Sequence, residues 1–149
     1  MNEIDKKILT IVQAQGHISY AELGKEVGLS VSAINERLKK LENKSIIKGW
    51  GARIDAKAVG LEVLAFIFLQ HEKPIYEESF RQEMLKLGEV EECHHVTGEW
   101  SYLLKIRERT ISDLEKFISA KIRSSKGIVR TQTVIVLSSP KEWSPYIVE

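Results

Sequence analysis

The spacing of apolar residues changes near residue 60 of this 149-residue chain, and no other sequence feature constrains its fold as strongly. Up to about residue 45, apolar residues recur three or four positions apart, which is the spacing of amphipathic helices. From Leu61 onward, short apolar runs typical of strands alternate with two helical stretches. The chain is therefore predicted to contain two small domains of different classes, joined by a connector at residues 50–60.

The first 49 residues predict three helices with recognisable starts. Asn2 and Ser30 stand where a side-chain oxygen can cap the first and third helices. Ser19 and Glu22 match a capping box at the start of the second helix, and Gly28 can end it. The apolar stripe of the third helix consists of Val31, Ile34, Leu38 and Leu41. We therefore assign residues 1–49 to a small helical domain.

Residues 61–149 predict the element order β-α-β-β-α-β. The strands are predicted at Leu61–His71, Val90–Val96, Tyr102–Ile106 and Ile128–Leu137, with one helix that begins at Pro74 and one with a capping box at Ser112. This order is typical of a ferredoxin-like sandwich, in which two helices pack on one face of an antiparallel sheet. The connector is predicted to hold a short strand at Trp50–Ile54. The predicted fold class is α+β.

Hydropathy and cysteine content argue against a membrane or secreted protein. The longest strongly apolar run, Leu61–Leu69, has nine residues, whereas a membrane-spanning helix needs about 20. Glu3 and Asp5 stand where a signal peptide needs positive charge. The single cysteine, Cys93, cannot build a disulfide framework. We therefore expect a soluble cytoplasmic protein without a membrane partner.

The charge distribution favours nucleic acid as the partner of the first domain. Residues 1–53 carry 9 basic and 6 acidic side chains, a net charge of +3, and the remaining residues carry −2. Because positive surfaces attract phosphates, double-stranded DNA is expected to meet the first half of the chain. The asymmetry is modest and does not decide the function by itself.

The second and third predicted helices have the pattern of a helix-turn-helix. Gly24 is the small residue that lets two helices approach, and Gly28 provides the turn. With Ile34 and Leu38 pointing inward, the polar side chains of the third helix point outward. Such groups read base edges or bind phosphates, although a structural helix pair with a solvated face has the same pattern. The predicted DNA-binding residues are Ser30, Ser32, Asn35, Glu36, Arg37, Lys39 and Lys40.

Over almost its whole length the chain resembles the leucine-responsive/asparagine-responsive (Lrp/AsnC) family of transcriptional regulators. The matching segments are Ile4–Leu9, Leu29–Ser32, Arg37–Glu42, Ile46–Gly49, Val96–Gly98, Tyr102–Lys105 and Arg130–Thr133. The resemblance implies a winged-type helix-turn-helix followed by a ferredoxin-like βαββαβ domain for oligomerisation and effector sensing. It also implies homodimers that build tetramers or octamers, with amino-acid effectors bound between dimers. The implied effector-binding residues are Thr97, Gly98, Ser101, Tyr102, Thr131 and Thr133.

Ser101 departs from the pattern of the family it resembles. The family commonly has an aspartate here, whose carboxylate can meet the ammonium group of an amino-acid effector. A hydroxyl cannot replace such a charge-assisted hydrogen bond, which is about twice as strong as a neutral one. Three interpretations remain open: Glu99 substitutes for the missing carboxylate, another ligand binds, or the protein acts without an effector.

The segment around Cys93 and His95 suggests metal binding but is interpreted as structural. Cys93 and His95 would share one face of a strand and could supply two zinc ligands, but no second pair stands at metal-ligand spacing. We therefore predict no metal or cofactor. The sequence contains no glycine-rich phosphate loop and no nucleophile elbow, so no enzymatic activity is predicted. Trp100 is expected at an oligomer interface.

The predicted function is sequence-specific regulation of transcription, with amino-acid metabolism as the field that the resemblance implies. An architectural protein that wraps DNA with little sequence preference is the main alternative. A metabolite-binding module whose helical domain docks another protein is a third candidate. The basic outward face of the third helix favours DNA over that third candidate.

Overall fold

A computed structural model describes all residues from 1 to 149, which divide into two compact units. The first unit comprises Met1–Arg53 together with Pro140–Glu149, and the second comprises Ile54–Ser139. The sequence predicts that the second domain covers residues 61–149, and the structure adds that the last ten of these residues contact the first unit. The last ten residues pack with the first unit because Val148 contacts its apolar core and Tyr146 is hydrogen-bonded to Gln13.

The first unit contains three helices, α1 (Glu3–Ala14), α2 (Tyr20–Val27) and α3 (Val31–Asn43). All three predicted N-caps are confirmed: the side chains of Asn2, Ser19 and Ser30 each accept a hydrogen bond from a backbone N–H of the first helical turn. At α2 the capping box is complete, since the side chain of Glu22 also accepts from the backbone of Ser19. The buried core consists of Ile8, Leu9, Val12, Leu23, Ile34, Leu38 and Leu41.

Two glycines form the tight connection between α2 and α3. Gly28 ends α2 with φ 73°, in the left-handed region that favours glycine. Gly24 lies against the backbone of the following segment, where a Cβ atom would stand 2.5 Å from the carbonyl oxygen of Leu29. Only a residue without a side chain permits this approach, and this explains the glycine that the helix-turn-helix pattern requires.

The connector lacks the predicted strand, so the prediction for Trp50–Ile54 is wrong. This segment has no regular structure, and the next element is a single 3-10 turn at Lys57–Val59. The physical reason is that a strand exists only when a neighbouring strand satisfies its N–H and C=O groups. No strand of this chain pairs with the segment.

The second unit is the predicted ferredoxin-like sandwich. Its elements are β1 (Val63–His71), a 3-10 turn (Pro74–Tyr76), α4 (Glu77–Met84), β2 (Val90–His95), β3 (Tyr102–Glu108), α5 (Ile111–Phe117), a π-helical turn (Ile118–Ile122) and β4 (Ile128–Ile135). The sheet order is β2-β3-β1-β4, and every neighbouring pair is antiparallel. The two central strands are therefore β1 and β3, which precede the two helices.

The start of α5 differs from the prediction of a capping box at Ser112. The N-cap is Thr110, whose hydroxyl accepts from the backbone N–H of Asp113 at 3.1 Å and donates to its carboxylate at 2.7 Å. Ser112 lies inside the helix instead. Thr and Asp support the same reciprocal arrangement as Ser and Glu, so two overlapping patterns compete in the sequence. The extended backbone of Thr110 decides the start.

A layer of helices covers one face of the sheet but not the other. On one face, α4, α5 and the π-helical turn enclose a core that includes Ile67, Leu69, Leu104, Ile106, Phe80, Met84, Leu114 and Phe117. Because side chains alternate along a strand, the intervening residues point to the other face. Phe66, Phe68 and Leu103 lie there, half-buried, in adjacent register positions. No helix of the chain covers them, and we call this surface the open face.

Candidate functional sites

The outward face of α3 is the first candidate site. Ser32, Glu36, Lys39 and Lys40 are exposed, and Asn35 is half-buried beside them. The opposite stripe of Ile34, Leu38 and Leu41 is buried in the core of the first unit. The helical periodicity therefore places the polar and basic groups together in solvent, where they can contact another molecule.

Ser30 has a structural task at the start of this face. Its hydroxyl oxygen accepts from the backbone N–H of Ala33 at 3.2 Å and lies 3.1 Å from the hydroxyl of Ser32. The capping bond uses one of the two lone pairs of this hydroxyl and restricts its orientation. Ser32, which is exposed one residue into the helix, is the better placed of the two hydroxyls to contact a ligand.

Arg37 is held inside the first unit rather than projecting with the lysines. Its guanidinium donates to the carboxylate of Asp5 at 2.7 Å and lies 3.4 Å from the side-chain oxygen of Asn2. The side chains of Arg37 and Asp5 are only 29% and 17% exposed. This pair fixes α3 against the start of α1. Because Asp5 and Arg37 are 32 residues apart, a local sequence pattern does not predict this ion pair.

A further contact at the end of α3 also escapes sequence reasoning. The indole N–H of Trp50 donates to the carboxylate of Glu42 at 2.7 Å. Trp50 remains partly exposed. The contact ties the chain that leaves the first unit back to the last turn of α3, which limits the freedom of that helix end.

The turn between β2 and β3 is the second candidate site. Thr97 and Gly98 are exposed at its tip, and Gly98 has φ 105°. Glu99 forms an ion pair with Arg130 at 3.2 Å, and the Arg130 guanidinium also lies 4.4 Å from the ring centre of Trp100. Glu99 therefore has a cationic partner, and the indole of Trp100 is packed rather than free.

Ser101 supports the sheet beside this turn. Its hydroxyl oxygen accepts from the backbone N–H of His71 at 3.0 Å, and its own N–H donates to the carbonyl of Leu69 at 2.8 Å. The hydroxyl thus satisfies the last backbone donor of β1. An effector that contacts the Ser101 hydroxyl would have to share or displace this hydrogen bond. The sequence alone does not show that the bond exists.

The other three predicted effector-binding residues lie on the helix-covered side of the sheet. Tyr102 is fully buried, and its hydroxyl accepts from Arg81 at 3.0 Å and lies 3.4 Å from Glu77. Thr131 pairs with Leu69 and Thr133 with Ile67, so both side chains point toward the helices. Thr133 lines a cavity of about 220 Å³ beside α5. The exposed Thr97–Gly98 tip does not line this cavity.

His71 is a buried polar residue that sequence reasoning missed. It is 8% exposed, and neither ring nitrogen has a hydrogen-bond partner. The ring meets Phe80 and Tyr102 edge to face at 4.9 and 5.7 Å between centroids. Burial lowers the pKa of the His71 imidazole, and the nearby carboxylate of Glu77 partly opposes this shift. Its inward position in the alternation of β1 was the available signal.

The Cys93-His94-His95 segment contributes to packing. Cys93 packs against the core of the second unit, and burial raises the pKa of its thiol. The ring of His95 stacks on Tyr102 with 4.9 Å between centroids. The structure contains no group of three or more His, Cys, Asp or Glu side chains that could hold a metal ion.

A three-helix unit with a glycine-dependent turn and an exposed polar helix, followed by a ferredoxin-like domain, defines a helix-turn-helix regulator with a separate ligand-binding domain. Residues 1–48 match the winged helix-turn-helix DNA-binding model, and residues 62–146 match the model of the Lrp/AsnC ligand binding domain. The chain belongs to the Lrp/AsnC family.

Individual relatives support this assignment along the whole chain. The HTH-type transcriptional regulator FL11 of Pyrococcus horikoshii is 37% identical over 142 residues, covering 95% of this chain and 93% of that protein. The leucine-responsive regulatory protein of Escherichia coli K12 is 32% identical over 151 residues, covering 100% and 92%. A Neisseria meningitidis transcriptional regulator, solved as an L-Met complex, has TM-score 0.91 and 29% identity, covering 98% and 96%.

These findings establish a transcriptional regulator with a DNA-binding helix-turn-helix and a ligand-binding domain. The relatives are regulators rather than enzymes. None of the helices is both long enough and apolar enough to cross a membrane.

Proposed function

We propose that this protein is a sequence-specific transcription factor that controls genes of amino-acid metabolism and responds to a small effector. The proposal of sequence-specific DNA binding rests on one observation: α3 exposes a polar outward face opposite a buried apolar stripe. The association with amino acids rests on the relatives, one named leucine-responsive and another solved with L-Met.

In this proposal, α3 lies in the major groove of double-stranded DNA. Ser32, Asn35 and Glu36 face the base edges, where Glu36 could accept only from the amine of a cytosine. Lys39 and Lys40 contact phosphates, which position the helix without reading the sequence. Arg37, which the sequence predicts among the DNA-binding residues, instead positions α3 through its contact with Asp5.

One helix of this size makes few base contacts, so useful affinity requires two copies. A homodimer places two recognition helices in successive major grooves about 34 Å apart. The open face of the second unit supports this proposal, because Phe66, Phe68 and Leu103 form an apolar surface without a helical cover. Larger even assemblies, tetramers or octamers, would bring further dimers together.

The effector is proposed to bind at the turn between β2 and β3, where Thr97 and Gly98 are exposed. The ammonium group of a free amino acid finds no unpaired carboxylate there, since Ser101 replaces the family aspartate and Glu99 is paired with Arg130. We therefore expect the single chain to bind ordinary amino acids weakly. Contacts from a second dimer would complete the site.

The test is selection from a random DNA library with the purified full-length protein. An enriched motif with two half-sites about one or two helical turns apart supports the proposal. Binding without any enriched sequence would instead support the architectural alternative. A variant with Lys39→Ala and Lys40→Ala is the matched control, since it should lose affinity for all library members alike.

A further inference from the structure

We propose that Pro140–Glu149, which we call the C-terminal strap, functions as part of the DNA-binding unit. The strap holds α1 in place and thereby raises the affinity of this unit for DNA. The DNA-affinity part of this inference rests on the proposed function. The strap lies in the compact unit of residues 1–53, far from it in sequence. Three separate contacts attach it there.

The central contact joins the side-chain amide of Gln13, in the last turn of α1, to the backbone of Tyr146. The Gln13 amide oxygen accepts from the Tyr146 N–H at 2.8 Å, and the amide nitrogen donates to the Tyr146 carbonyl at 3.3 Å. One side chain thus satisfies both backbone groups of one residue. The side chain of Tyr146 is not needed for this contact and is 85% exposed.

The flanking contacts fix both sides of this central pair. Val148 packs against the core formed by α1, α2 and α3, and it is the least exposed residue of the strap. Upstream, the guanidinium of Arg53 lies 3.4 Å from the ring centre of Trp143, which is a close cation–π contact. The strap is therefore bound at three points, by an apolar, a hydrogen-bonding and a cation–π contact.

The position of the strap along the chain, shortly after β4, connects it to the ligand-binding unit. Strand β4 ends at Ile135, so only residues 136–139 separate β4 from the strap. The ligand-binding family match itself extends to residue 146. The DNA-binding unit is thus joined to the ligand-binding unit by two chain connections, one after Arg53 and one before Pro140. A change at β4 that loosens the strap would reach α1 directly.

The experiment uses the full-length protein and the variants Gln13→Ala and Val148→Asp, with Tyr146→Ala as the matched control. Amide hydrogen exchange by NMR reports the Tyr146 N–H and the amides of α1, and a titration with duplex DNA from the library selection reports affinity. Alanine is a better helix former than glutamine, so Gln13→Ala does not weaken α1 through propensity. Any loss of α1 protection in this variant therefore comes from the strap.

We expect Gln13→Ala to expose the Tyr146 amide, to lower protection along α1 and to weaken DNA binding by about 2- to 10-fold, the scale of one net hydrogen bond. Val148→Asp should have a larger effect, and Tyr146→Ala should change none of the three readouts. For Gln13→Ala, which changes no charge, the slope of affinity against salt should stay constant, because no phosphate contact is lost.

The proposal would be overturned if Gln13→Ala removed the exchange protection of the Tyr146 amide but left α1 protection and DNA affinity unchanged. It would also be overturned if Tyr146→Ala had an effect as large as that of Gln13→Ala. If the unmodified protein binds no DNA, the proposed function fails. The claim of increased affinity then fails with it, whereas loss of α1 protection in Gln13→Ala would still support the structural part.

Discussion

The Asp5–Arg37 ion pair links the start of α1 to the middle of α3, and it changes the expected role of one residue of the candidate site. An arginine on the recognition helix is ordinarily a candidate for phosphate or guanine contact. Here the guanidinium is half-buried and hydrogen-bonded to Asp5. Its neighbour Lys39 is exposed, so the two cations should behave differently when they are removed.

We expect Arg37→Gln to reduce the free energy of unfolding by about 1 kcal/mol, between the values for exposed and buried charged hydrogen bonds. Its DNA affinity should fall without a change in the salt slope. Lys39→Ala should leave stability nearly constant but lower the salt slope by about one unit. Thermal melts and DNA titrations at several salt concentrations check both variants. A lower salt slope for Arg37→Gln would instead indicate that Arg37 contacts a phosphate.

His71 predicts a pH dependence of stability. Its pKa is lowered in the folded protein because the ring is buried, so the unfolded chain binds the proton more readily. Stability from this residue is therefore fully present above the ordinary pKa of about 6.5. It is lost as the pH falls through that value and on through the lower pKa of the folded state.

The measurement is urea unfolding of the full chain between pH 7.5 and 4.5, compared with His71→Leu. The variant should lose less stability on acidification, since leucine has no proton to bind. His17→Asn is the control for the loss of a histidine, because His17 is exposed and lies in the other unit. Equal acid sensitivity of the parent and His71→Leu would contradict the assignment.

At the scale of elements, the α2–α3 connection depends on two glycines for different reasons. Gly28 has a left-handed backbone, but open space surrounds the position of its missing Cβ. Gly24 lies within a helix, where alanine normally stabilises by about 1 kcal/mol. Its Cβ would however stand 2.5 Å from the Leu29 carbonyl oxygen, which belongs to the backbone and cannot rotate away.

We expect Gly28→Ala to cost about 1 kcal/mol of stability, the strain of a left-handed residue with a side chain. Gly24→Ala should cost more, because α2 and the turn must separate. The larger cost should appear with a loss of DNA binding, since α3 would change its angle to α2. Chemical denaturation and a DNA titration of the two variants test this order. A stabilised Gly24→Ala protein would contradict the close approach.

The caps of these helices were predictable because capping is local. The oxygens of Asn2, Ser19 and Ser30 bond to groups three residues away, so the sequence pattern contains the whole interaction. The start of α5 was missed by two residues because Thr110 and Ser112 both offer suitable patterns. The absent strand at Trp50–Ile54 was missed because a strand needs a partner that a local pattern cannot provide.

At the scale of the whole molecule, the open face is the surface on which the proposal of a dimer rests. A sheet with helices on one side leaves its other apolar side in water unless a second layer covers it. We expect the protein to form a dimer or an even multiple through this face. Light scattering at micromolar concentration should therefore report a mass of at least twice 17.0 kDa.

Phe68→Asp should shift this mass toward that of the monomer, since a charge would be buried without a partner. Ile75→Asp is the matched control, because Ile75 is an exposed apolar residue outside the sheet and its replacement should keep the mass. A monomeric parent protein, or a Phe68→Asp variant with unchanged mass, would place the interface elsewhere.

Local sequence patterns were enough to predict the two domain classes, the order and caps of the helices in the first unit, the ferredoxin-like topology and the family. Periodicity, caps and turn residues act over three or four positions, and the order of elements admits few topologies. Which side chains of the candidate sites already have a hydrogen-bond or ion-pair partner depends instead on how distant segments pack. Asp5 and Arg37 are 32 residues apart, Ser101 and His71 are 30 apart, and Gln13 and Tyr146 are 133 apart. Contacts at such separations form only when packing brings distant segments together, and no local pattern encodes them.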